Sequence, residues 1–164
     1  MSLQQACWSL VIAASFLTGC ASGPLQYDQL STDPSVTGLT DNILLESVPF
    51  FPQEVYQCGP ASLAMLMAHL GKPTQPNDLA DQVFIEARQG SLQAEMLAAT
   101  RRQGLLPYVH ETRFAVLLEQ LDAGNPVLVF QNLGFGFYPV WHYAVVIGYD
   151  LDEKTIVLHS GTTA

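Results

Sequence analysis

Apolar residues recur at helical spacing most clearly around residue 65. Leu63, Leu66, Met67 and Leu70 lie at i, i+3, i+4 and i+7, the spacing of one buried helix face. Pro60 suits the first turn of that helix, where its missing N–H has no partner to lose and its φ is already helical. Gly71 and Pro73 end the run, so the pattern predicts a core helix that starts near Cys58. Gln75 to Phe84 read as a second, short helix with Asn77 or Asp78 as its cap. Ser91 to Gln103 predict a third, with Leu92, Met96, Leu97 and Ala99 as its apolar face and Gly104 as a stop after Arg101 and Arg102. Thr112 is placed to cap a helix from Arg113 to Ala123, which Gly124, Asn125 and Pro126 bring to a close.

The remaining apolar runs have strand character. Ile43 to Phe51 reads as an extended segment on a sheet, restricted by Pro49 and Pro52 to an edge or loop. Leu105 to His110 and Val127 to Gln131 read as strands. His142 to Tyr149 and Thr155 to His159 flank the turn residues Asp150 to Lys154, which predicts an antiparallel hairpin. Between the strand ending at Gln131 and the one opening at His142, residues 133–141 form a Gly- and aromatic-rich loop: either a packed surface loop or the wall of a groove, with the groove favoured. Helices before a mostly antiparallel sheet predict an α+β domain without internal repeats.

The N-terminus changes the picture. With 164 residues the chain is long enough for one domain with a proper core, and 49% hydrophobic content with positive mean hydropathy is rich. Part of that richness lies in residues 8–17, too short a run to span a bilayer but suited to the apolar region of a signal peptide. Leu17-Thr-Gly-Cys20 then resembles the lipobox of bacterial lipoproteins, which implies acylation of Cys20 and a membrane anchor facing the periplasm, at the outer membrane. The absence of Lys or Arg before Cys20 departs from that pattern. The expected organisation is a signal peptide over 1–19, a Gly-, Pro-, Ser- and Thr-rich tether over 20–41 and a domain over 42–164, which the chain end after Ser160 leaves open to truncation. Cleavage would remove Cys7 and acylation would cap Cys20, leaving Cys58 as the one free thiol.

Charge excludes more than it selects. The formal net charge is −9 and only six side chains are Lys or Arg, so nucleic acid is not an expected partner. No Cys/His cluster has zinc spacing and no glycine-rich phosphate loop occurs, so neither metal nor nucleotide is expected. His69 and His110 have no motif around them and read as ordinary helix or surface histidines.

Cys58 carries the chemistry. A thiol on the first turn of a helix sits among unpaired N–H groups at the positive end of the helix dipole, and both favour thiolate. The alternative is a small apolar residue in the core. His142, opening a run of β-formers, supplies a base on a rigid strand. Together, Gln53-x-x-x-x-Cys58-Gly-Pro-Ala-Ser-Leu-Ala-Met and His142-Tyr-Ala-Val-Val-Ile-Gly-Tyr-Asp150 resemble the bacteriocin-processing, or double-glycine leader, cysteine peptidases, and more closely their lipoprotein relatives. The resemblance covers residues 45 to 161.

It implies a papain-like fold, a peptide or protein substrate, and a thioester on Cys58 with His142 as base. It also implies Gln53 as an oxyanion donor beside the Cys58 N–H, with the adjoining Gln57 ranked second. The family's third member, an Asp or Asn that orients the histidine, aligns here with Ser160, a weaker orienter. Double-glycine leaders are the usual substrates. ATP belongs to a separate domain of the related exporters, absent from this chain, and lipoprotein relatives often continue into helical repeats. Two rivals remain: a non-catalytic peptide- or partner-binding domain, and another papain-like amidase such as a cell-wall hydrolase.

Overall fold

The computed structural model describes residues 30, 33–53 and 57–162. The expected signal-peptide segment, Cys7 and the expected lipidation site Cys20 lie outside the described residues. The chain divides into two units after Asp33, and the second holds every element below.

Four helices and six strands are found among the described residues. The helices are α1 (Cys58–His69), α2 (Pro76–Val83), α3 (Gln93–Arg102) and α4 (Phe114–Asp122). The strands are β1 (Asn42–Leu44), β2 (Phe84–Ile85), β3 (Gly90–Ser91), β4 (Val127–Asn132), β5 (Trp141–Asp150) and β6 (Thr155–His159). The architecture is α+β with antiparallel sheets.

The long strand β5 is the centre of the main sheet. β4 pairs along its first half, from Asn132 opposite Trp141 to Val127 opposite Val146, and β1 continues that flank opposite Gly148 to Asp150. β6 takes the other flank, with a bulge between Val146 and Gly148. The hairpin and the apolar strand read from the sequence both form, because alternating and continuous β-branched runs leave few helical alternatives.

α1 lies on β5 and is buried nearly all round. On one side Leu63, Ala64 and Met67 meet Leu79 and Val83 of α2, Met96 and Ala99 of α3, and Tyr143 of β5. On the other, Ala61 and Met65 meet Val48, Val145 and Ile147. An apolar helix without a polar face belongs in the middle of a core. The single face expected from Leu63, Leu66, Met67 and Leu70 is therefore incomplete: Leu70 falls past the helix end and is 57% exposed.

Other boundaries differ for local reasons. Gln75, not Asn77 or Asp78, caps α2, and its N–H donates back to the Asp78 carboxylate at 3.1 Å. Gly90–Ser91 does not begin α3 but pairs with β2 as a two-residue ribbon. Leu105 to His110 forms no strand: Leu105 packs on the core while Leu106, Tyr108 and Val109 are exposed, and Pro107 removes a ladder donor. Arg113 rather than Thr112 precedes α4, without a side-chain cap.

The domain also starts earlier than Asn42. A 3-10 turn at Pro34–Val36 packs on α4, and the Thr40 N–H donates to the Asp122 carboxylate at 3.0 Å. The buried Tyr149 hydroxyl shares its proton between the Thr40 carbonyl at 3.0 Å and Asp122 at 3.1 Å. Burial, then the bond to Asp122, pushes Tyr149 up to about 12, while hydrogen bonds from Thr40 hold Asp122 below its ordinary value. The last part of the expected tether is thus bonded to the domain.

Gly148 is required by a close approach. A Cβ there would collide with the Ile43 carbonyl oxygen, so Gly148→Ala should pry β1 from β5. The expected loss is about 1–3 kcal/mol, read as a lower urea midpoint with an unchanged m-value.

Candidate active site

Cys58 is the first residue of α1, preceded by Gln57 at φ −98° and ψ 15°. The first intrahelical bond runs from the Ala61 N–H to the Gln57 carbonyl at 3.0 Å. The N–H groups of Cys58 and Gly59 therefore point out of the helix without an intrahelical acceptor, and Pro60 contributes none. Cys58 is a free thiol, partly exposed, packed against the cluster that contains Tyr143. Gly59 is needed for closure, because a Cβ there would collide with the Ser91 side chain of β3.

His142 is the second residue of β5 and is half-buried. Its Nε2 lies 2.9 Å from the Ser160 hydroxyl, just past the end of β6. Burial lowers its pKa from the ordinary 6.5. With Nε2–H donating to Ser160, the neutral ring presents Nδ1 as the basic nitrogen. A hydroxyl orients the ring but brings no charge to stabilise imidazolium, unlike a carboxylate. Among the described residues no hydrogen bond joins Cys58 to His142.

Gln53 is 6% exposed and fully engaged. Its Nε2 donates to the Ser62 hydroxyl at 2.9 Å and to the Tyr143 carbonyl at 3.3 Å. Its Oε1 accepts from the Gly161 N–H at 3.0 Å, and its own N–H donates to the Gly161 carbonyl at 2.7 Å. Both amide protons are occupied, which leaves none for an oxyanion. The side chain instead ties Ser62, one helical turn after Cys58, to the residue after His142 and to the residue after Ser160.

Three residues of this arrangement were not singled out in the sequence: Ser62, Tyr143 and Gly161. Ser62 had a signal, a polar residue at i+4 from Cys58 inside an otherwise apolar helix, and it is fully buried. Tyr143 had none beyond its place after His142. It is 2% exposed, its ring centroid lies 4.5 Å from that of Phe130, and burial, then a negative charge on Cys58, pushes it up to about 12.

The loop between β4 and β5 leads into His142. Phe135 and Phe137 stack at 5.4 Å, Trp141 stacks on Phe130 at 4.8 Å, and Phe137 and Tyr138 are largely exposed. No Asp, Glu, Lys or Arg occurs from 123 to 149. Asn132 holds the loop base, its Oδ1 accepting from the N–H groups of Gly134 and Val140 at 2.9 and 2.8 Å. His69 lies away from these groups, 3.1 Å from the Ser47 hydroxyl, and His110 packs on Tyr108 at 5.1 Å.

The model of the Peptidase_C39 like family matches residues 45–162. The chain belongs to the Peptidase_C39 like family. The match contains Gln53, Cys58, His142 and Ser160, and the α+β architecture is that of a papain-like Peptidase_C39 domain. No curated protein and no solved structure matches the chain. As a Peptidase_C39 like protein it carries a cysteine peptidase-like domain.

Two outcomes test this geometry. Gln53→Ala should lower stability by about 2–4 kcal/mol, since it orphans several buried groups at once; urea denaturation measures it. The pH dependence has a definite sign. His142 and His159 are both lowered from 6.5, in each case by burial, which the Pro49 backbone partly offsets for His159. The unfolded chain binds their protons first, so stability is full above about 6.5 and falls as pH drops through the lowered folded values. The urea midpoint should decrease from about pH 7 to about 5.5, and less steeply in His159→Gln.

Proposed function

We propose that this protein is a cysteine peptidase that hydrolyses peptide bonds through a thioester on Cys58. The observation that carries the reading is the pairing of His142 with Ser160 on the strand that supports the Cys58 helix. In the first step His142 takes the thiol proton and the sulfur attacks the scissile carbonyl. His142 then returns that proton to the leaving amine as the C–N bond breaks. Water, deprotonated by the same imidazole, cleaves the thioester and regenerates the thiol. The oxyanion is met by the free N–H groups at the start of α1 rather than by Gln53.

The aromatic loop that leads into His142 supports a substrate with apolar side chains near, rather than at, the cleaved bond, as a double-glycine-type leader would present them upstream of its two glycines. The lipobox at Cys20 supports a protein anchored in a bacterial membrane and facing the periplasm. A second reading has two observations in its favour: Cys58 and His142 are not hydrogen-bonded, and Ser160 carries no charge, as in a domain that binds peptide without cleaving it.

Mass spectrometry of Cys58 after exposure to a fluorogenic peptide library separates the two. A peptidase shows an acyl adduct and turnover, both absent in Cys58→Ala; a binding domain shows saturable affinity and neither adduct nor turnover. Release of stem peptides from purified sacculi would instead identify a cell-wall amidase. For the peptidase, His142→Ala should lower kcat/KM by about 10²- to 10⁴-fold. Ser160→Ala should lower it about fivefold, the worth of one ordinary hydrogen bond, and Ser160→Asp should raise it.

A further inference from the structure

The ladder between β4 and β5 runs out to Asn132 opposite Trp141, whereas β6 stops with His159 opposite Val145 and β1 pairs only with Gly148 to Asp150. Residues 133–140 carry the hairpin past these other strands. Along them Leu133, Phe135, Phe137, Tyr138 and Val140 are between 48% and 87% exposed, and the Phe135 and Phe137 rings stack on each other rather than on the core. A run of large apolar side chains left in water marks a contact surface.

The backbone says what kind of contact. The Leu133 N–H donates to the Val140 carbonyl at 2.8 Å, Phe135 and Tyr138 donate to each other's carbonyls at 3.1 and 3.0 Å, and Asn132 Oδ1 takes the N–H groups of Gly134 and Val140. Pro139 has no N–H, so only those of Gly136 and Phe137, at the turn, are without a partner among the described residues. A peptide that adds as a strand needs an open row of N–H and C=O groups, which this hairpin does not offer. A lipid bilayer sets the opposite condition, because backbone groups that enter it must be met within the protein.

Charge favours the same occupant. In a chain of net charge −9, residues 123–149 hold no Asp, Glu, Lys or Arg. A tip without charge gives up no ion hydration on entering lipid, and anionic headgroups do not repel it as they repel the acidic remainder. Tyr138 in the tip and Trp141 at its base are the side chains that settle at a membrane surface. Reach is sufficient as well. Thirteen residues separate Asp33 from Cys20, the expected lipidation site, and fully extended they span about 45 Å. A domain of this size is about 35 Å across, so none of its faces is out of reach of a bilayer that holds Cys20.

We propose that the tip of the β4–β5 hairpin, residues 133–140, is a membrane-contact element that seats Phe135, Phe137 and Tyr138 among the headgroups and first acyl carbons of a lipid bilayer. The contact goes beyond the acyl anchor, which supplies reach but no orientation, and it does not depend on Cys58 acting as a nucleophile. Trp141, stacked on Phe130, stays at the base next to His142 in sequence. A seated tip turns the start of β5, and with it His142, toward the bilayer, so that chains lying at the membrane surface are the ones presented to the site.

The test is tryptophan fluorescence of the full-length chain with phosphatidylcholine vesicles whose acyl chains carry bromine near the headgroup. The chain has two tryptophans, Trp8 and Trp141. With both changed to Phe, Phe137→Trp places the single fluorophore at the tip, and Leu70→Trp places it on an exposed site just past the far end of α1. The expected result is a blue shift and bromine quenching for the tip tryptophan and neither for the one at 70. If Phe137→Trp does not fold, Tyr138→Trp is read in its place.

A tip tryptophan that is neither shifted nor quenched overturns the inference, whether or not the chain sediments with the vesicles; sedimentation in that case leaves the anchor reading standing by itself. Equal quenching at position 70 also overturns it, since the domain then adheres without orientation. So does a tip that responds to a soluble double-glycine-type peptide and not to vesicles, which makes the whole loop a wall of the substrate groove.

Discussion

The side chain of Gln53 sits where three separately encoded segments meet, donating to Ser62 on α1 and to the Tyr143 carbonyl on β5 and accepting from Gly161 beyond β6. Each of these groups is one to four residues from a member of the site: Ser62 from Cys58, Tyr143 from His142, Gly161 from Ser160. A buried primary amide has two donors and one acceptor oxygen, and here all three directions are satisfied. Such a network specifies one arrangement, because any slip of the helix along the strand would leave several buried polar groups unpaired at once.

The packing around α1 works in the same direction. Apolar residues cover the helix on both flanks, so its axis is fixed by α2, α3 and β5 together, and its first turn is held where Ser91 closes on Gly59. The free end of the helix is thus presented at a set height above the sheet. Cys58 gains exposed N–H groups and a low-dielectric floor from that placement. His142 gains a rigid strand and a hydroxyl partner, while burial favours its neutral form. A base that is neutral at neutral pH can accept the thiol proton, but with Ser160 as its partner it has less help in holding the resulting charge.

Much of this was legible in the chain. Cys58 at a helix start, His142 at a strand start and the β5–β6 hairpin all follow from short-range signals: a proline in a first turn, a run of β-formers, a turn rich in Asp and Glu. Ser160 was legible only through the family resemblance, as the position that aligns with the family's Asp or Asn; the hairpin register itself ends with His159 opposite Val145. Gln53 was legible as important but not in its partners. Its sequence neighbour is the nucleophile segment, whereas three of its four hydrogen bonds reach residues 90 or more positions away. The Leu105–His110 segment failed in the opposite way, since its apolar residues resemble a strand although no neighbouring strand pairs with it.

By itself, then, the sequence determined the α+β class, the family, the order of the elements and the identities of the thiol and the imidazole. The class and the order of the elements depend on local backbone preference and hydrophobic period, which act over a turn or two of chain, while the family followed from the resemblance of the Cys58 and His142 motifs. Only the tertiary structure decided that α1 is central rather than one-faced, that Gln53 is occupied within the core, that residues 34–41 belong to the domain, and that the buried Tyr143 hydroxyl is left without a partner. Those outcomes depend on which buried polar groups find partners. That is settled only when distant segments pack and the low dielectric between them makes each unmet hydrogen bond costly.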